Sequence, residues 1–323
     1  MLALKEPADV VAMVPYLIGF TPVESLVVLA LQGPRRRLGP CMRVDLADDR
    51  DGAEVQGRYL GDLIAAHGFS PVILVAYSVD AARADAVVQP LRRGLARRRV
   101  QVIEALRADG RRWWSYDCDD AECCSPRGSA YDAESSRVAA EAVLAGLHKA
   151  PDRDSLRVQF EPISRDAQVA VAEECDRLRS ADLAVTRVPR DVPELDRLVA
   201  LHRARPTEMP VTDAAALLLA VQRTALRDAA WALMNRANAA EYFGLWRWVM
   251  QTAPDDLMAP AGALTGFAAW LDGQGASASH VVDRVELVSP GYSMCTLLRD
   301  ILEATVNPDV WSGFPLLREP THG

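Results

Sequence analysis

The chain has 323 residues, 50% of them hydrophobic and 25% charged, with a formal net charge of −8. That length exceeds what one hydrophobic core usually serves, so two domains are expected. An acidic chain repels phosphate backbones, which argues against general nucleic-acid binding.

The first twenty residues are interrupted by Glu6, Asp9 and Pro15, and no small-residue cleavage site follows, so no secretory signal is expected. The longest apolar region, residues 10–31, is broken by Pro15, Gly19, Pro22 and Glu24, which argues against a membrane span. The cytoplasm is the expected compartment, and there the six cysteines stay reduced.

Strands and helices alternate through the first half. Residues 7–16 read as a helix. Thr21-Pro22-Val23-Glu24 has the form of a capping box with proline at the first position, which predicts one helical turn. Residues 25–31 form an unbroken apolar run, as expected of a central strand covered on both faces. A Gly/Pro/Arg turn then leads into a second strand at 41–46, predicting an antiparallel hairpin. Residues 53–67 read as a helix with Val55, Tyr59, Leu60 and Leu63 on one side, and 71–77 as another buried strand. Residues 81–98 follow as a helix that Pro90 bends or divides. A last strand pair, 100–106 and 111–117, surrounds an Asp109-Gly110 turn, and 134–147 is helical. The expected fold is an α/β N-terminal domain with a mixed sheet over 1–150.

Strand signals nearly vanish beyond that point. Residues 151–210 carry six prolines among charges and read as a linker region with short helices. A long helix is expected from Val211 to about Asn235, with more at about 237–252, 258–272, 275–288 and 291–305. The second domain, 211–310, is thus an all-α helical bundle. Gly266, Gly273, Ala278 and Pro290 give residues 262–290 the look of one tetratricopeptide-like hairpin, although such repeats normally need about three units.

The densest signal is at 111–128, Arg-Arg-Trp-Trp-Ser-Tyr-Asp-Cys-Asp-Asp-Ala-Glu-Cys-Cys-Ser-Pro-Arg-Gly. Strand alternation puts Trp113, Ser115 and Asp117 on one face and Arg112, Trp114, Tyr116 and Cys118 on the other. Cys118 and Cys123 have four residues between them, a spacing that zinc ligand pairs use. Zinc held by Cys118, Cys123 and Cys124 would need further ligands, with His148, Cys41, Cys175 and Cys295 as candidates. Reduced thiols packed in the loop and a regulatory disulfide are the alternatives. The acidic neighbours Asp117, Asp119, Asp120 and Glu122 argue against a nucleophilic thiolate. Motifs for phosphate loops, zinc proteases and serine hydrolases are missing. Gly273-Gln-Gly275-Ala-Ser277-Ala lacks the preceding strand that a dinucleotide fingerprint requires.

Several ordered segments together resemble domain of unknown function 4192, a family of actinobacterial proteins. They are Val14-Pro15-Tyr16-Leu17-Ile18-Gly19-Phe20-Thr21-Pro22 with Glu24-Ser25-Leu26-Val27-Val28, then Arg43-Val44-Asp45-Leu46, the Trp-Trp-Ser-Tyr-x-Cys…Cys-Cys block, and Pro290-Gly291-Tyr292-Ser293-Met294. The resemblance covers most of 10–305 and matches poorly at 150–210. It departs at Ser125, where such sequences often have proline. It implies no catalytic residue.

Two functions follow as expectations. The first is a binding or scaffold protein with a cysteine-rich loop and an aromatic lip at the sheet end, docking an unidentified protein partner through its helical domain. The alternative is an enzyme acting on a small polar or anionic substrate at the sheet edge. The ligand-binding candidates are Glu24, Asp45, Arg112, Trp114, Tyr116 and Asp117, because strand ends of α/β sheets often carry sites.

Overall fold

The computed structural model describes residues 4–34, 36–118, 120, 122, 124–145, 147, 149–181 and 187–313. The chain divides into two compact units, 1–156 and 157–323. As the sequence predicts, a mixed α/β unit comes first and helices follow.

The first unit opens with α1 (Pro7–Ile18), closed by Gly19 at φ +84°, a left-handed cap that suits glycine. Then come β1 (Ser25–Gln32), β2 (Arg37–Asp45), α2 (Arg50–Ala66), β3 (Val72–Tyr77), α3 (Ala81–Arg97), β4 (Val102–Ala108), β5 (Arg112–Ser115), β6 (Ser129–Ala130) and α4 (Arg137–Leu144). The sheet order is β2-β1-β3-β4-β5-β6. β3 and β4 run parallel, joined by α3, and the other neighbours are antiparallel. Alternation along β1 sends Leu26 and Val28 into the core under α2 and α3, and Val27, Leu29 and Leu31 into the core under α1. The unbroken apolar run therefore reflects burial on both faces. α4 packs behind α1, through Val138, Ala139 and Ala142 against Met13 and Tyr16.

Three local expectations change in this unit. Residues 21–24 form no helical turn: the Thr21 N–H donates to the Ala150 carbonyl, and Glu24 takes φ +42°. Ser25 already pairs with both Asp45 and Tyr77, and those ladders override the capping-box signal. On α2, Val55 and Tyr59 are 57% and 59% exposed, and the inward face is Ala53, Gly57, Leu60, Gly61 and Ile64. The small residues face inward because α3 comes very close. A Cβ on Gly57 would lie 3.0 Å from the Leu91 nitrogen and 3.0 Å from the Pro90 Cβ. Pro90 itself sits within an uninterrupted α3.

The division between units falls inside α5 (Arg153–Val158). The second unit continues with α6 (Arg165–Ser180), α7 (Val192–His202), α8 (Val211–Val221), α9 (Thr224–Ala232), α10 (Ala239–Thr252), α11 (Met258–Leu271), α12 (Gly275–Val288) and α13 (Ser293–Glu303). The stretch read as a linker region with short helices contains α6 and α7, which pack on α8 and α9. The buried carboxylate of Asp213 on α8 lies 2.8 Å from Nε2 of His202 on α7. The single long helix expected from Val211 is two helices. Arg223 between them is extended, and its guanidinium donates to the carbonyls of Pro189 and Arg190.

Every residue of α11 is buried, as its apolar sequence requires on all sides. Gly262 and Gly266 admit the neighbouring helices. A Cβ would lie 2.4 Å from Val285 at the first and 2.8 Å from Leu298 at the second. Tyr292, in the Pro-Gly-Tyr-Ser-Met segment, accepts a 3.0 Å hydrogen bond from Arg227, which also pairs with Asp228. Among the described residues, no helix is long and apolar enough to cross a membrane.

The contact between α2 and α3 gives a direct test. Gly57→Ala should cost about 1–3 kcal/mol in urea unfolding, because the helices must separate. Val55→Ala, on the outer face, should stay within about 0.5 kcal/mol. Equal effects at the two positions would contradict the inward face assigned here.

Candidate functional site

The 111–128 block begins at the turn between β4 and β5. The Asp109 carboxylate accepts from the backbone N–H of Arg111 and of Arg112, at 2.8 and 2.7 Å. This fixes a register in which Arg107 faces Trp114 and Leu106 faces Ser115. Trp113 packs into the core beneath α1, and Tyr116 into the core beneath α2 and α3, so the expected alternation holds along the strand.

Tyr116 and Asp117 are committed to holding the strand. The Tyr116 N–H donates to the Ala105 carbonyl, and its hydroxyl donates to Asp85 of α3 at 2.7 Å. Burial, then that hydrogen bond, pushes the phenol well above its ordinary range. β5 has ended at Ser115, and the Asp117 carboxylate turns to accept the Ala105 N–H and to pair with Arg92 of α3. Asp117 therefore leaves the face expected for it.

The chain returns to β5 as β6, pairing Ser129 with Trp113 and Ala130 with Arg112. Arg112 clamps this return, donating to the carbonyls of Gly128 at 2.8 Å and Arg127 at 3.3 Å. The Trp114 indole N–H donates to the Pro126 carbonyl at 3.2 Å. Gly128 has φ +75°, and a Cβ there would lie 2.5 Å from the Trp114 ring. The Arg107 guanidinium sits 3.7 Å over the same ring and donates to the Ser78 carbonyl. The tryptophan, the proline and the glycine of the block are thus parts of one closure.

Beside this closure, along the outer edge of β5, is a part-open cavity of about 240 Å³. β5 supplies Trp113, Trp114 and Ser115, and the loop supplies Cys118, Cys124, Ser125, Pro126 and Ser129. It lies along the lateral edge of the sheet, at its β5–β6 end. The Ser115 hydroxyl donates to Glu104 at 3.0 Å and accepts the Asp117 N–H at 3.1 Å. Burial raises the Glu104 carboxyl above its usual range; the Ser115 hydrogen bond opposes this and the Asp117 charge adds to it.

Cys118 and Cys124 share the cavity wall, and Cys123 and His148 lie outside the described residues. Cys41 packs beneath α1, where burial pushes its thiol up to about 12. Cys175 and Cys295 are buried in the second unit, pushed by burial to about 11 and about 12. Among the described residues, no three His, Cys, Asp or Glu side chains group as a metal site would require.

Glu24 and Asp45 stand elsewhere. One row across the sheet runs Asp45, Ser25, Tyr77, Ala108, Trp113, so four strand spacings, about 19 Å, separate Asp45 from β5. Asp45 pairs with Arg43 and, at 3.6 Å, with Arg153. Glu24 accepts the Ser78 hydroxyl at 2.8 Å and lies 3.4 Å from Arg83, which also binds Asp48 at 2.7 Å. The six candidates therefore form no single site. Sequence reasoning missed Arg107, which lies across the hairpin from Trp114, and Glu104, which lies two residues from Leu106, the partner of Ser115.

The clamp predicts that Arg112→Ala costs about 1–3 kcal/mol, from two lost charge-assisted hydrogen bonds. Amide exchange at Gly128 and Ser129 should quicken well before that of β3. Unchanged exchange at both residues would show that Arg112 does not hold the loop.

No curated protein and no solved structure matches the chain. The family described as Domain of unknown function (DUF4192) matches residues 7–309, spanning most of both units. The chain belongs to that family.

Proposed function

We propose that this protein is a binding protein whose site is the cavity at the outer edge of β5. The carrying observation is that cavity: about 240 Å³, with two tryptophans and two cysteines in its wall, beside residues 126–128, which Arg112 and Trp114 hold by specific hydrogen bonds. Aromatic walls with a few convergent polar groups are what ligand sites use. The volume is below the ~300–1,000 Å³ of sites for drug-sized ligands, so the occupant is small. The helical unit, which exposes Leu287 on α12 and Leu297 on α13, is the surface for a protein partner in this reading.

The enzymatic alternative draws no support from the geometry. Arg112 and Trp114 meet at the loop return, but Asp45 stands four strands away and Asp117 turns to α3, and Glu24, Asp45 and Asp117 are each engaged by an arginine. The cavity thiols are read as reduced, packed groups in a cytoplasmic setting. Zinc is the competing reading, since Cys118 and Cys124 share one wall.

Two measurements test this. In a fragment screen by NMR, hits should perturb the indole signals of Trp113 and Trp114 first. Hits that consistently leave both in place would refute the cavity as the site. Elemental analysis of untagged protein purified without chelator should find far less than stoichiometric zinc. A stoichiometric content would assign the cysteines to a metal centre, as ligand loss with concerted unfolding would confirm.

A further inference from the structure

The cavity has a chemical polarity that its lining types alone do not reveal. Pleating sorts the charged side chains of the β4–β5 hairpin. Arg107 and Arg112 lie on the face of Trp114, where they bind backbone carbonyls. Glu104 lies on the other face, with Trp113 and Ser115. Among the described residues, Glu104 has no ion pair, whereas Asp117 is neutralised by Arg92. Ser115 connects this carboxylate to the cavity. Its one proton is given to Glu104 and one lone pair takes the Asp117 N–H. A hydroxyl has two lone pairs, so Ser115, one of the residues lining the cavity, keeps one acceptor position.

We infer that the cavity selects a small ligand bearing a protonated amine, whose N–H groups bind the remaining lone pair of Ser115 with the Glu104 carboxylate behind it and Trp113 alongside. This inference rests on the cavity being the binding site. A donor on the ligand completes the hydrogen bonding of Ser115, whereas a carboxylate would bring two acceptors against an acceptor. A cation also supplies a counter-charge that none of the described residues gives Glu104 in an ion pair. That raises the value of ionising Glu104, which burial otherwise opposes. An indole wall favours a cation as well, through its negative face. The size of the cavity limits the ligand to a handful of heavy atoms beyond the amine.

The test uses three probes of one shape and different charge: n-butylammonium, 1-butanol and butyrate. Each is titrated into the full-length protein while the indole signals are followed, with Trp113 and Trp114 assigned by Trp→Phe variants. Butylammonium should bind at least tenfold more tightly than either of the others. Glu104→Gln, which keeps the shape and loses the charge, should abolish that preference without a matching fall in melting temperature. Equal or tighter binding of butanol or butyrate would overturn the amine assignment while leaving the cavity as a site. An unchanged preference in Glu104→Gln would do the same. If no probe moves either indole, the cavity reading itself fails, and the inference goes with it.

Discussion

The indole of Trp114 carries the Arg107 guanidinium over its ring and has the bare backbone of Gly128 against it. The loop between β5 and β6 depends on this packing. A side chain at 128 would collide with the ring, and without the ring Pro126 would lose its indole donor. Arg112 secures the same return from the strand side. Ser125, Pro126 and Ser129, beside these contacts, line the cavity together with Trp113, Trp114 and Ser115 of β5. Arg107 extends the network inward, because its other contact is the Ser78 carbonyl at the end of β3, beside Glu24 and Arg83.

Charged residues in this unit mostly serve the connections. Arg83 gathers Glu24, Asp48 and the carbonyls of Leu46 and Ala47, fixing the chain between β2 and α2 to α3. Arg92 does the same for the end of β5. Pairs of this kind, largely solvent-facing, contribute little each to stability, on the order of 1 kcal/mol or less. Their effect here is geometric: they set where the loops leave the sheet. Glu104 stands apart because, among the described residues, it has a hydroxyl partner and no ion pair.

The class of fold was legible because burial dictates residue type. The apolar run of β1 could only be a strand covered on both sides, and the apolar α11 only a helix surrounded by others. Failures came where packing chose against hydrophobicity. α2 turns glycines and alanines inward because α3 approaches too closely for larger groups, so Val55 and Tyr59 face outward. The break between α8 and α9 carries no proline or glycine; it depends on Arg223 finding the carbonyls of Pro189 and Arg190. Of the site, the 111–128 block was legible as a built feature. The partnership of Trp114 with Arg107, and of Ser115 with Glu104, was not. Both depend on the strand register, which is set by how the Asp109 carboxylate receives two backbone N–H groups.

The closure of the loop by Trp114 and Gly128 is tested most directly by a double-mutant cycle between them. Gly128→Ala carries two costs: about 1–2 kcal/mol for the left-handed backbone, and about 1–3 kcal/mol for the collision with the indole. Replacing Trp114 by Leu should remove the second and leave the first. The cycle, measured by urea unfolding, is therefore expected to show a coupling of about 1 kcal/mol or more, with Gly128→Ala milder in the Trp114→Leu background. Strict additivity would mean that the ring does not rest on Gly128 and that the loop, with its cavity, is held by something else.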